Sequence, residues 1–292
     1  MADESIVPEE ESTALDISSK ALDLLKGTGA YSRYPSGDSK AKITRATLWN
    51  RWKKIFIKKK ISFKGADLTS ANLTGFDLSD FDFSGANFTD ANLTETILND
   101  TIFTGAILEG VKFTRATLTN IVFSRNNLSF CNFCDTVCNN VKFLNCVITC
   151  ANMPGFHRIA DFGWAVLNKC EFRGVTFIGT SPISFTKAQI TESTFFNVKF
   201  MHKNNFVIEV VFTSDLYNDP CIISNCTFNQ VVFKPTFNSS KLTGVTFVKC
   251  GLDGMNANSA SFSKCTFSMS SAKSSYFGAT ILNNVTFDNV GL

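Results

Sequence analysis

The chain has 292 residues, 44% hydrophobic and 18% charged, with a net charge of +3: enough apolar surface for a core, and too little charge for a disordered chain. Phe supplies 30 aromatic residues against 3 Trp and 4 Tyr, which points to a repeated apolar slot with no place for a polar ring. Ten Cys beside two His leave few imidazoles for zinc or acid–base chemistry, and no apolar run reaches the roughly 18 residues of a membrane span. Residues 1–42 read as a polar N-terminal region, with Asp3, Glu4 and Glu9 where a Sec signal would be cationic and then apolar. Within it a short helix is predicted over 13–26, with Asp16 three residues after Thr13 as a capping box and Gly27 as its stop, then a linker to residue 40. A basic amphipathic helix follows within 43–60, gathering Leu48, Trp49, Trp52, Ile55 and Phe56 on one side. It is expected to cap whatever begins at residue 61.

From Ile61 the sequence divides into fives: ISFKG, ADLTS, ANLTG, FDLSD, FDFSG, ANFTD, ANLTE, and so on to Gly155. The third slot is apolar in all 19 fives, eight times Phe and eight times Leu. The first slot is small or apolar except at Asn126, the second is rich in Asn and Asp, and the last two favour Thr, Ser, Gly, Asn and Asp. A period of five matches neither the 3.6 of a helix nor the 2.0 of a strand, so the chain must turn regularly to keep slots one and three inside. ADLTS, ANLTG, ANFTD and ANLTE resemble the pentapeptide-repeat family. The resemblance implies an all-β, right-handed quadrilateral β-helix over 61–292, four fives to a coil. Steps of 20 support it: Phe63, Phe83, Phe103, Phe123 and Phe143 align. About eleven coils spaced ~4.8 Å apart make a rod on the order of 50 Å long.

The frame breaks near 154–165, 179–184 and 202–220, which read as surface loops, VIEVVF in the last being a candidate strand. From Phe237 the repeats hold one frame to Leu292, leaving Phe277, Leu282 and Phe287 with no covering element, and an end-to-end homodimer through the C-terminal coil is expected.

Charge is segmented. Residues 40–64 carry ten bases and no acid, 65–111 eight acids and no base, and 112–292 fifteen bases against nine acids. Arg51, Lys53, Lys54, Lys58, Lys59 and Lys60 form a basic block suited to a protein partner or an anionic membrane surface. Asp67, Asp77, Asp80, Asp82, Asp90, Glu95 and Asp100 form an acidic belt that invites a DNA-mimic reading, since some members of the resembled family mimic duplex DNA and protect DNA gyrase. The net basic surface beyond the belt opposes that reading. No nucleic-acid partner is expected.

No catalytic, cofactor or metal site is expected. Seven Cys, among them Cys131, Cys146 and Cys170, fall in slot one as small apolar filler, which scatters the thiols and suits a reducing compartment. IADFGWA at 159–165 resembles the kinase DFG segment but lacks the accompanying glycine-rich loop and VAIK-type Lys. His157, Arg158 and Asp161 read as solvated loop residues. A polar N-terminus without a Sec signal, a helical region and then a β-helix resemble type III-secreted pentapeptide-repeat effectors of Gram-negative bacteria. That resemblance implies a non-catalytic scaffold, delivered by a non-Sec route into the host cytosol or host membranes, that engages a host protein. The alternatives are a bacterial cytoplasmic protein that protects gyrase and a membrane-associated scaffold.

Overall fold

The computed structural model describes residues 14–28, 44–58, 62–150, 162–179, 182–202, 207, 209–213 and 220–291. Two helices, α1 (Ala14–Lys26) and α2 (Arg45–Lys58), precede a four-sided β-solenoid. α1 stops at Gly27, whose φ of 73° a side chain would resist and whose N–H donates to Asp23 O at 2.7 Å. Thr44 caps α2, its Oγ1 accepting the Thr47 N–H at 3.1 Å.

Each slot has a distinct backbone task. Slot three donates its N–H to the slot-two carbonyl of the next coil, as Leu68 does to Asn87 (2.7 Å), and slot two donates back to slot one of the coil before, as Asn87 does to Ala66 (2.9 Å). Slot five takes a left-handed conformation, which favours Gly, Asn and Asp there; Gly85 has φ 69° and Asp100 φ 55°. The slot-four N–H has no carbonyl to meet, and the slot-two side chain supplies the acceptor: Asn87 Oδ1 takes both the N–H (3.0 Å) and the hydroxyl (2.7 Å) of Thr89. That is why Asn or Asp at slot two travels with Thr or Ser at slot four.

Four faces result. The first, behind Phe63, Phe83 and Phe103, continues as eight parallel strands from Val122–Ser124 to Thr286–Asp288. The fourth, behind Leu78 and Leu98, carries nine strands from Ile97–Asn99 to Ile281–Asn283. The second and third carry three each, including Val147–Cys150 and Glu209–Val211, and isolated bridges elsewhere. The candidate strand in VIEVVF is thus formed in part, and its Phe212 enters the core.

The lumen is a set of aromatic ladders. Phe143 stacks on Phe172 at 4.6 Å and Phe133 on Phe162 at 4.9 Å, so the register passes the first interruption unbroken. The interruption is shorter than its sequence suggests, because Phe162–Ala165 already follows the repeat, with Phe162 in slot three. Three successive interruptions enter between the same two faces, after Ile148, Phe177 and Phe200 on the second and before Phe162, Phe185 and Phe212 on the third.

Slot one does more than fill space. Thr101, Cys131 and Thr136 each donate to the slot-three carbonyl 23 residues earlier, at 2.9–3.0 Å, and Asn126 donates to Phe103 O (3.1 Å) and Ala106 O (2.9 Å). Thr and Cys thus replace Ala with their donors satisfied, whereas Asn126 satisfies its amide N–H groups and leaves its Oδ1 buried without a partner.

Candidate interaction surfaces

Coils stacked in this way leave at the first coil an edge rich in unpaired carbonyls, because the slot-two and slot-four carbonyls accept from the coil that would precede it. α2 lies on that edge and brings donors. Trp49 Nε1 donates to Asp77 O at 2.5 Å, Asn50 Nδ2 to Gly75 O at 3.2 Å, and Arg45 to Asn72 O at 2.8 Å; Asn50 Oδ1 accepts the Asp77 N–H at 2.8 Å. Trp49 also sets its ring 5.3–5.8 Å from Phe63, Phe76 and Phe81, over the lumen. Arg45 further donates to Leu24 O and Leu25 O, tying α1 to the same end.

The basic block is partly consumed in this contact. Lys53 Nζ lies 2.7 Å from Asp77 and 3.7 Å from Asp80, with only 12% of its side chain exposed, whereas Arg51 is exposed. The side chains of Lys54 and Lys58, and all of Lys59 and Lys60, lie outside the described residues, as do His157, Arg158 and Asp161. Among the described residues no helix is long and apolar enough to cross a membrane.

The acidic residues do not make one surface. Asp77, Asp80, Asp82 and Asp100 gather along the edge between the fourth and first faces, while Asp67 lies on the second and Asp90 and Glu95 on two further corners. Most are engaged: Asp82 pairs with Lys64 (3.1 Å), Glu95 with Arg115 (2.9 Å), and Asp100 accepts from Asn120 (3.0 Å). Burial pushes the Asp77 carboxyl up, but Lys53 and Ser79 together outweigh it and hold the group below the ordinary carboxylate value. Asp67 is held low chiefly by the hydroxyl and N–H of Thr69.

Of the described thiols, all but Cys134 are buried. Burial raises Cys146, Cys226 and Cys250 to about 11 and Cys170 to about 12, so these stay protonated and poorly nucleophilic at neutral pH. Among the described residues no group of three or more His, Cys, Asp or Glu could hold a metal ion. Within the DFG-like segment, Phe162 fills the lumen and Trp164 is exposed at a corner.

Numbering slots through the interruptions also shows a set of residues that the sequence reading missed. Arg125, Arg173, Lys199 and Lys249 fall on or beside the corner between the first and second faces, and all are exposed. Their sequence intervals are irregular, so only the structural register aligns them.

The family profile described as "Pentapeptide repeats" matches residues 61–100 and 86–125, in 8 copies. Residues 61–125 thus match pentapeptide repeats. No curated protein matches it. Among solved structures, HetL, a pentapeptide repeat protein involved in heterocyst differentiation regulation from the cyanobacterium Nostoc sp. Strain PCC 7120, shares 16% identity, with 76% of this chain and 86% of that one covered at a TM-score of 0.39. QnrB1, a plasmid-mediated fluoroquinolone resistance protein, shares 17% identity over 78% and 90% of the two chains at a TM-score of 0.23. The expectation of delivery into a host cell is corrected here: the solved structures similar to the chain are described as a differentiation regulator and a resistance protein, and neither as an exported effector. Among the described residues the inward slots of the coils are given to packing.

Proposed function

We propose that this pentapeptide-repeat protein is a protein-binding rod that holds a partner through its outward slots, without chemistry. The supporting observation is a girdle of β-branched residues at slot two, where neighbouring repeats carry Asn, Asp or Lys: Ile97, Ile102 and Ile107 on the fourth, first and second faces, and Val122 on the first, are 40–47% exposed. Ile102 and Val122 occupy adjacent rungs of the first face. Apolar side chains turned outward at positions the fold does not require are the composition of an interface core. The test is affinity capture with the full chain and with Ile102→Lys/Val122→Lys, both checked for equal melting temperature. A partner retained by the parent and lost by the variant supports the girdle. Equal capture by both removes it.

A second reading, gyrase protection by DNA mimicry, draws on the acidic edge of Asp77, Asp80, Asp82 and Asp100. Lys53 and Lys64 neutralise part of that edge, which weakens it as a duplex surface. Supercoiling by gyrase in the presence of a fluoroquinolone decides: no rescue by the full chain discards the reading. In either case a second copy is the proposed cover for Leu282 and Phe287, lumen residues of the last described coil that are 48% and 39% exposed. A monomer at every accessible concentration in sedimentation would eliminate it.

A further inference from the structure

We propose that the corner between the first and second faces, from Arg125 to Lys249, is a docking edge for an extended acidic polypeptide segment; this rests on the protein-binding reading but uses a different surface from the girdle. Four exposed cations, Arg125, Arg173, Lys199 and Lys249, line the corner, and from Arg125 to Lys249 no acid occupies the corner slot or the outward slots beside it. Arg173 is paired, its Nε lying 2.6 Å from Glu171 at slot two of the first face. No ion pair within the described residues engages Arg125, Lys199 or Lys249. The corner between the third and fourth faces is the contrast: Glu95, Arg115, Asp135 and Lys187 alternate in sign, and Arg115 pairs with Glu95 at 2.9 Å.

Apolar residues share the edge with the cations. Val147, Val232 and Met269 are exposed there, and Arg173 sits over the Phe196 ring at 4.9 Å. Gly174 and Gly251 keep the backbone low between them. The cations span the rungs from the fourth coil to the ninth, roughly 24 Å at a strand spacing of ~4.8 Å, the length of about seven extended residues. A narrow, straight ridge of positive charge with apolar gaps complements a segment in which acidic and apolar side chains alternate, since an extended chain presents alternate residues to one surface.

The test uses the full chain and a fluorescent decapeptide of alternating Glu and Val, read by anisotropy at low and moderate salt. Arg125→Glu/Lys199→Glu/Lys249→Glu is compared with Lys112→Glu/Lys241→Glu/Lys264→Glu, which changes net charge equally on other parts of the rod. The edge variant should lose roughly ten-fold or more in affinity and the control about three-fold or less. Equal losses would mean that net charge alone attracts the peptide, and would overturn the proposal. So would tighter binding to a single-stranded oligonucleotide or to phosphatidylserine vesicles than to the peptide. If the glutamate variant melts early, Arg125→Gln/Lys199→Gln/Lys249→Gln removes the charges without reversing them, and undiminished binding by it also overturns the proposal. Ile102→Lys/Val122→Lys should keep the peptide while losing the girdle's partner, so the two readings fail separately.

Discussion

Phe103 and Thr104 are neighbours in sequence and opposites in environment. Phe103 is buried between Phe83 (6.2 Å) and Phe123 (5.8 Å), with Phe88 edge-on at 5.6 Å, whereas Thr104 faces solvent. Removing a core Phe costs about 3–5 kcal/mol before any charge is buried, so Phe103→Asp should abolish or severely lower the melting transition while Thr104→Asp leaves it within a degree or two. Equal melting temperatures would refute the inward assignment. The residue-level pattern was largely legible in sequence, since slot three is set by hydrophobic period alone. Slot one was legible only in size: that Cys131 and Asn126 also donate to carbonyls of the coil below depends on a contact between coils that no local pattern encodes.

At the level of elements, α2 is proposed as the cap of the rod because its donors match the carbonyl-rich edge of the first coil and Trp49 covers the lumen. Its amphipathic stripe and its position before the repeats could be read from sequence, but its polar partners could not, because Asn50 and Lys53 are in no motif and meet residues 24–27 positions away. Deleting residues 1–60 should therefore produce aggregation, detected by light scattering; a monomer of unchanged melting temperature would exclude capping. Acid should loosen the same contact. Because the folded pKa of Asp77 is depressed, its contribution is complete above the unfolded carboxylate value and is lost as pH falls through the lower folded one, from about pH 4 downward. Asp77→Asn should accordingly be less stable than the parent at pH 7, and the difference should shrink toward pH 3. A difference that stays constant with pH would contradict the Lys53–Asp77 pairing.

For the molecule as a whole, the decisive feature is that the ladders continue past every interruption, with Phe172 to Phe195 at 4.7 Å and Phe195 to Phe228 at 4.7 Å. Sequence alone obscured this, because a frame lost after Ile148 gives no local sign that Phe162 has already resumed it; only stacking on Phe133 shows that it has. The docking edge inherits the same difficulty, since Arg125, Lys199 and Lys249 align only if the rod is continuous. Native-state hydrogen exchange tests that continuity directly. A single rod predicts that the slot-three amides of Phe123, Phe172, Phe195 and Phe228 exchange with protection within about ten-fold of one another and lose it together in denaturant. Amides beyond residue 161 exchanging orders of magnitude faster than Phe123, in a separate denaturant-dependent step, would show two independent stacks and contradict the account.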